Sequence, residues 1–274
     1  MSLARRKRDR TLAAQTITAA PVLSCGGAPA ATGHPAPAAG ASIRPASIRA
    51  ASVRATPAER AAAQIALRLT HDLRRLKEIR SIDRKIEAKR TMLPEYRAWV
   101  EGVVAADAGV GSGTAADVVP TCMVWLIDVG AYGEALDLVP FLLRHRVEMP
   151  RRYERDVATI VVEEIADAAA RAQNAGQRFD QAVLDTAEAL TSGLDIHDQV
   201  RAKLLKAIGI EQLRTAEDMP AEDSAIVLRS ALVHLREAQR LHDRIGVKDR
   251  VKRAEKLLAA VEAAEPNTGG PSTA

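Results

Sequence analysis

Apolar residues recur every three or four positions along most of the chain, and no segment sustains the alternation of apolar and polar residues typical of a half-buried strand. Spacings of three and four place side chains on one face of an α-helix. Turns that contain glycine separate many of these stretches. The pattern therefore predicts an all-α fold, a repeat-like helical bundle of helix hairpins.

The longest predicted helix covers residues 57–90 and begins at Pro57, a residue type suited to the first helical position. Its apolar stripe comprises Ile65, Leu69, Leu73, Leu76, Ile79, Ile82 and Ile86. Most of its cations lie off this stripe, namely Arg74, Arg75, Lys77, Arg84, Lys85, Lys89 and Arg90. Such a helix can pair with a second copy or fold back on the body, and we weight the two equally. One continuous helix leaves no helix-turn-helix in residues 1–90.

Residues 91–215 are predicted to form a helical core domain. A short helix opens at Pro94 and a flexible loop follows at 107–114. The next helix, residues 115–129, is apolar nearly all round. A helix of this composition belongs in the interior, so we expect it to be the central buried helix.

Three proline and aspartate positions set the later boundaries of this core domain. A helix at 132–146 should be kinked by Pro140, and Pro150 should start the following helix. Asp180 should cap another helix, and a further one should cover 197–212.

A C-terminal helical hairpin is predicted within residues 216–265. Its two helices, 222–243 and 247–263, are joined at Gly246. Residues 1–56 are rich in proline, glycine, alanine and serine, which predicts a disordered basic arm. Residues 266–274 are predicted to form a disordered tail.

Positive charge is concentrated at the front of the chain. Residues 1–56 hold eight basic residues and one acid, a net charge of +7, and residues 57–90 hold ten basic residues and five acids, a net charge of +5. Because the whole chain has a net charge of +4, the remaining residues carry a net charge of −8. A basic arm and helix would neutralise phosphates and bind DNA in a salt-dependent way, although a solvated tail without a partner is the alternative. The DNA-binding candidates are Arg5, Arg6, Lys7, Arg8, Arg10, Arg74, Arg75, Arg84, Lys85, Lys89 and Arg90.

Two short motifs could carry chemistry. The glycine-rich run at 109–114 lacks the lysine that a phosphate-binding loop needs, so a flexible linker is the better interpretation. Asp195, His197 and Asp198 are good metal ligands, and with Mg²⁺ they could serve a nuclease if further carboxylates converged on them. Their position near a helix start favours capping instead. We predict no metal site and no cofactor of its own, and the catalytic residues stay unassigned.

Two other residue pairs have structural interpretations. Glu163 and Glu164 are neighbours on a helix and point about 100° apart, so a solvated face is favoured over a catalytic carboxylate pair. Trp99 and Trp125 could stack on bases, but both lie in apolar stretches, which favours core packing.

The cysteine content indicates a reducing compartment. Cys25 and Cys122 are the only cysteines, too few for a disulfide framework. No stretch approaches the roughly 20 apolar residues of a membrane span. We therefore expect a cytoplasmic protein with no membrane partner.

Three segments resemble a known family in their order along the chain. They are MLPEYRAWVEG at 92–102, DVVPTCMVWLIDVGAYGEALDLVPFLLRHRVEM at 117–149, followed by Pro150, and VRAKLLKAIG at 200–209. They look like the opening, central block and a later segment of the small terminase subunit of contractile-tailed temperate phages, often labelled "terminase, endonuclease subunit". The hairpin at 222–263 resembles the family's tetratricopeptide-like end.

The resemblance implies a role in packaging phage DNA. A small subunit of this family recognises the cohesive-end site on concatemeric double-stranded phage DNA and presents it to a large ATPase and nuclease subunit for cutting and packaging into proheads. Such subunits often assemble into homo-oligomeric rings, and the family acts in the host bacterial cytoplasm. The endonuclease label attaches to no motif matched here.

Three functions therefore remain open. The first is a DNA-recognition subunit without catalysis of its own, supported by the basic front end. The second is a metal-dependent endonuclease in its own right, with Asp195, His197 and Asp198 as candidates. The third is a helical protein-interaction scaffold without DNA binding.

Overall fold

A computed structural model describes residues 55–264, and within that range every regular element is helical and no strand occurs. Two short 3₁₀ turns, Leu93–Glu95 and Gly113–Ala115, link some of the helices. The all-α prediction is thus confirmed for this part of the chain. The α-helices are α1 (Pro57–Glu78), α2 (Ile82–Met92), α3 (Arg97–Ala106), α4 (Val118–Asp128), α5 (Tyr132–Leu136), α6 (Val139–Arg144), α7 (Val157–Asn174), α8 (Gln181–Thr191), α9 (Asp198–Asp218), α10 (Ala221–Leu241) and α11 (Lys248–Ala264).

The predicted single helix at 57–90 is wrong, because the chain breaks between α1 and α2. Ile79 takes an extended backbone conformation, with φ −79° and ψ 125°, which no α-helix can continue through. Ser81 then caps α2, its hydroxyl accepting a hydrogen bond from the backbone N–H of Arg84 at 3.5 Å. Two helices joined by three residues also remove the reason for excluding a helix-turn-helix arrangement here.

The α1–α2 pair folds back on the body, which is one of the two arrangements that the stripe left open. Ile65, Leu69 and Leu76 of α1 and Ala88 of α2 join the main apolar core. Both helices contact α4. The start of α1 is closed by a capping box between Thr56 and Glu59.

Helix α4 is the central buried helix, as predicted. All its residues except Leu126 and Asp128 are buried. Gly130 follows at φ 82°, a left-handed conformation that glycine adopts without steric cost, and so the helix ends there. Trp125 and Trp99 are both buried, which confirms core packing for the two tryptophans.

Two boundaries set by prolines are wrong, and one set by aspartate is right. Pro140 does not kink a helix but lies in the first turn of α6, where its missing N–H costs no hydrogen bond. Pro150 starts no helix, since α7 begins after Asp156, whose carboxylate accepts from the backbone N–H of Thr159 at 2.9 Å. Asp180 caps α8 as expected, accepting from the N–H of Ala182 at 2.9 Å.

The C-terminal helices pack closely on one another. The second half of α9, α10 and α11 share a smaller apolar cluster that includes Leu213, Leu228, Leu232 and Val261. Among residues 55–264 the helices lack the length and apolar character that crossing a bilayer would require.

Candidate nucleic-acid interface

The end of α1, the three-residue turn and the start of α2 form a corner that carries most of the chain's described basic front. We call residues 74–85 the basic corner. It contains six cations and two acids, Glu78 and Asp83. The six cations are Arg74, Arg75, Lys77, Arg80, Arg84 and Lys85, and all are exposed except the half-buried Lys85.

None of these six side chains has an ion-pair partner among residues 55–264, whereas neighbouring cations do. Arg68 of α1 pairs with Glu95 in the 3₁₀ turn before α3. Arg97 pairs with Glu134 at 2.6 Å. The positive charge of the corner is therefore left facing solvent, where an anionic partner can reach it.

Buried contacts hold α1 and α2 in this arrangement. Asp72 of α1 faces inward, where it accepts a hydrogen bond from the Tyr96 hydroxyl at 2.7 Å. Burial, and then the hydrogen bond to Asp72, raise the pKa of Tyr96 well above its usual range, so this hydroxyl keeps its proton. Tyr96 also packs edge-on against Trp125, with ring centroids 5.8 Å apart. The carboxylate of Asp72 therefore faces the interior of the protein and does not neutralise the cations of the basic corner.

The structure separates the predicted DNA-binding residues into three groups. Arg74, Arg75, Arg84 and Lys85 come together in the basic corner. Lys89 instead pairs with Asp128 of α4 at 2.5 Å, and Arg90 pairs with Glu87 of its own helix at 2.7 Å. The third group lies outside the described residues: Arg5, Arg6, Lys7, Arg8 and Arg10.

Two cations of the corner, Lys77 and Arg80, were absent from the candidates chosen from the sequence. Arg80 lies inside the turn between α1 and α2, which the prediction of one continuous helix did not contain. The available signal was the density of basic residues at 74–85, which does not depend on helical phase.

The metal-ligand candidates lie far along the chain, before and at the start of α9. Asp195, His197 and Asp198 are exposed, and the buried side chain between them is that of Ile196. His197 occupies the N-cap position but makes no side-chain capping hydrogen bond. Within residues 55–264 no group of three or more histidine, cysteine, aspartate or glutamate side chains is placed to hold a metal ion.

The adjacent acids of α7 are not a solvated face, contrary to our expectation. Glu163 is half-buried and pairs with Arg155 and, at 3.8 Å, with Lys203. Glu164 is also half-buried, and burial followed by nearby acids raises its pKa. The partial burial of Glu164 and its proximity to Asp128 come from tertiary packing, whereas the other two acids, Glu163 and Asp167, lie on the same helix.

The comparisons with known proteins identify the family. The sequence profile of the family described as "Phage small terminase subunit" matches residues 66–199. The "Terminase, endonuclease subunit" of Escherichia phage P2 is 35% identical over 195 residues, which cover 71% of this chain and 73% of the phage P2 protein. The chain belongs to the phage small terminase subunit family.

A second relative agrees with this assignment. The "Probable terminase, endonuclease subunit" of Haemophilus phage HP1 is 23% identical over 203 residues, 73% of this chain and 71% of that protein. No solved structure matches the chain. The resemblance found in the sequence is thereby confirmed, and this small terminase subunit has its role in phage DNA packaging.

The basic corner lies within the part of the chain that matches the family's sequence profile. Residues 66–199 include the whole corner and also Asp195, His197 and Asp198. Helices α10 and α11 lie beyond the matched range.

Proposed function

We propose that this terminase small subunit binds double-stranded phage DNA through the basic corner and recognises the cohesive-end site of concatemeric DNA. The observation that carries the proposal is the set of six cations at 74–85, which have no ion-pair partner among the described residues. Lysine and arginine side chains bind phosphates mainly by releasing condensed counterions, so unpaired exposed cations supply affinity. Arg5, Arg6, Lys7, Arg8 and Arg10 extend the same contact along the duplex.

The acidic body presents the bound site to the large ATPase and nuclease subunit. Its C-terminal helices α9, α10 and α11 pack against one another, α9 on α10 and α10 on α11, and we propose that this part supplies the docking surface. Ile226 and Val233 lie two turns apart on α10 and are 77% and 64% exposed. Exposed apolar residues on a helix face support a protein contact there, with the large subunit or with further copies in a homo-oligomeric ring. All of this takes place in the host bacterial cytoplasm.

The proposal is tested by fluorescence anisotropy with a cohesive-end duplex and a scrambled duplex over a range of salt. Replacing Arg74, Arg75, Lys77 and Arg80 by alanine should weaken binding to both duplexes. The slope of log K against log salt should fall by about 1 for each phosphate that is no longer neutralised. The matched control, Arg236→Ala with Arg240→Ala, removes two exposed arginines of α10 that sit in ion pairs, and it should bind normally.

Unchanged DNA binding by the corner variant, with its fold intact by circular dichroism, would show that the corner is not the contact. If the unaltered protein binds both duplexes with equal affinity, the proposed DNA binding is supported but the proposed recognition of the cohesive-end site is contradicted. Tight binding of the large subunit with no measurable DNA affinity would favour the scaffold alternative.

A second function, a metal-dependent endonuclease, is favoured by the names of both relatives, which are called endonuclease subunits. It predicts nicking of cohesive-end DNA by the purified small subunit with Mg²⁺ and without the large subunit. Asp198→Ala should abolish nicking if Asp195, His197 and Asp198 form the site. Nicking that survives this substitution would place the chemistry elsewhere.

A further inference from the structure

The apex of the basic corner carries an isoleucine that the fold leaves uncovered. Ile82, the first residue of α2, is 74% exposed. Ile79, three positions earlier, packs against the main core, whereas neither Ile82 nor the half-buried Ile86 belongs to it. The break at the turn therefore takes an apolar residue out of the stripe that covers the body and sets it at a tip.

The cations around this tip are arranged on both of its sides along the chain. Lys77 and Arg80 precede Ile82, and Arg84 and Lys85 follow it. A single exposed isoleucine calls for no explanation by itself. Here the cations outnumber the acids Glu78 and Asp83, so the net charge attracts a phosphate backbone and a duplex bound at the corner would lie next to Ile82.

We propose that Ile82 is an apolar wedge, which the basic corner inserts between base steps of the bound duplex and which thereby bends the DNA. The inference rests on the proposed DNA contact at the corner. Proteins that deform DNA from the minor groove commonly insert isoleucine, leucine, phenylalanine, methionine or proline between base pairs while cations hold the flanking phosphates. Ile82 has the side-chain type, the exposure and the flanking charges that this action requires.

A wedge gives the small subunit a second means of choosing its site. Base steps differ in how easily they unstack, and pyrimidine–purine steps deform most readily. A protein that kinks DNA therefore favours sequences with a flexible step under the wedge, even without hydrogen bonds to base edges. Bending also turns two stretches of duplex toward the protein, which brings more phosphates within reach of the basic residues.

The test measures bending and binding on the same duplex. A cohesive-end duplex labelled at both ends reports its end-to-end distance by energy transfer, and anisotropy reports the fraction bound. The full-length chain should bend the duplex by roughly 20–90°, the range found for inserted apolar side chains. Ile82→Ala and Ile82→Ser should lose most of the change in energy transfer at saturating protein, and Ile82→Met should keep it.

Two comparisons separate failure of the wedge from failure of the DNA contact. Leu67→Ala removes another exposed apolar residue, 60% exposed on α1, and should bend DNA like the unaltered chain. If the corner cations are needed for binding but Ile82→Ala bends DNA fully, the wedge is overturned and the contact stands. The wedge is equally overturned if Ile82→Ala changes only self-association or binding to the large subunit.

Discussion

At the scale of single residues, Gly209 of α9 lies in close contact with α10. A Cβ added there would lie 2.7 Å from Cγ of Leu235 and 3.2 Å from the carbonyl oxygen of Ala231. Leu235 is fully buried, so it has little room to move. We expect Gly209→Ala to lower the free energy of unfolding by about 1–3 kcal/mol, the usual cost of overpacking a core. Thermal unfolding followed by circular dichroism measures this decrease.

The matched control is Gly133→Ala in helix α5, where an added Cβ meets nothing within 4 Å. That substitution should be neutral or stabilising, because alanine favours helix over glycine by about 1 kcal/mol. Leu235→Ala should make room for the methyl group that Gly209→Ala introduces, so the double variant should be destabilised by less than the sum of the two single variants. Additive destabilisation would contradict direct contact between the two positions.

At the scale of helices, the start of α7 depends on Asp156 rather than on Pro150. Burial acts to raise the pKa of Asp156, but hydrogen bonds from the backbone N–H and hydroxyl of Thr159 outweigh it and lower this pKa below its ordinary 3.8. Asp156→Ala should cost about 1 kcal/mol at neutral pH, as for other N-caps. Because folding lowers the pKa, this stabilisation is complete above the ordinary value and is lost as pH falls through the folded-state value.

Denaturant unfolding between pH 7 and the acid limit of the folded state measures the effect. The difference in unfolding free energy between Asp156→Ala and the unaltered chain should shrink as the pH falls below the ordinary carboxyl pKa. Asp156→Asn should retain most of the cap without its titration. A constant difference down to the acid limit would mean that the ionised carboxylate is not what stabilises α7.

The sequence predicted which segments are helical more readily than it predicted where a helix is interrupted. The all-round apolar character of α4 and the aspartate before α8 were sufficient signals, because each reflects local chemistry. The break at Ile79 had a weaker signal, because Ser81 is a capping residue type but neither glycine nor proline occurs between residues 78 and 82. Ile79, Ile82 and Ile86 also continue the helical spacing. Packing of α1 and α2 against α4 decides that break, and packing is a tertiary effect.

The same limit applies to the candidate DNA interface. Its cations were predictable from composition, since charge density along the chain needs no fold. The sequence did not predict which of these cations stay free of ion pairs. Asp128, the partner of Lys89, lies 39 residues further along the chain, so that pair depends on the fold. Arg90 is the exception, since its partner Glu87 is three residues away on the same helix and could have been paired from the sequence.

At the scale of the whole molecule, helix α1 separates the two basic stretches of the sequence, residues 1–54 and the basic corner. Residues 1–54 connect to the body just before Thr56, which caps the start of α1, and the basic corner lies at its other end. Helix α1 has 22 residues, so these ends are roughly 33 Å apart at a rise of about 1.5 Å per residue. That separation is close to one turn of B-form DNA, roughly 34 Å, so the start of α1 lies about one helical turn from the phosphates that the proposed corner contact would hold.

Deleting residues 1–54 should therefore reduce DNA affinity without removing the contact at the corner. The deletion takes away eight basic residues and leaves the Thr56–Glu59 capping box in place. The salt slope should fall by about 0.9 for each phosphate that the arm would otherwise neutralise, while bending by Ile82 persists at saturating protein. Changing Arg5, Arg6, Lys7, Arg8 and Arg10 to glutamine in the full-length chain should reproduce part of the decrease, since charge and not length supplies the affinity. A slope unchanged by both alterations would confine the DNA contact to the body.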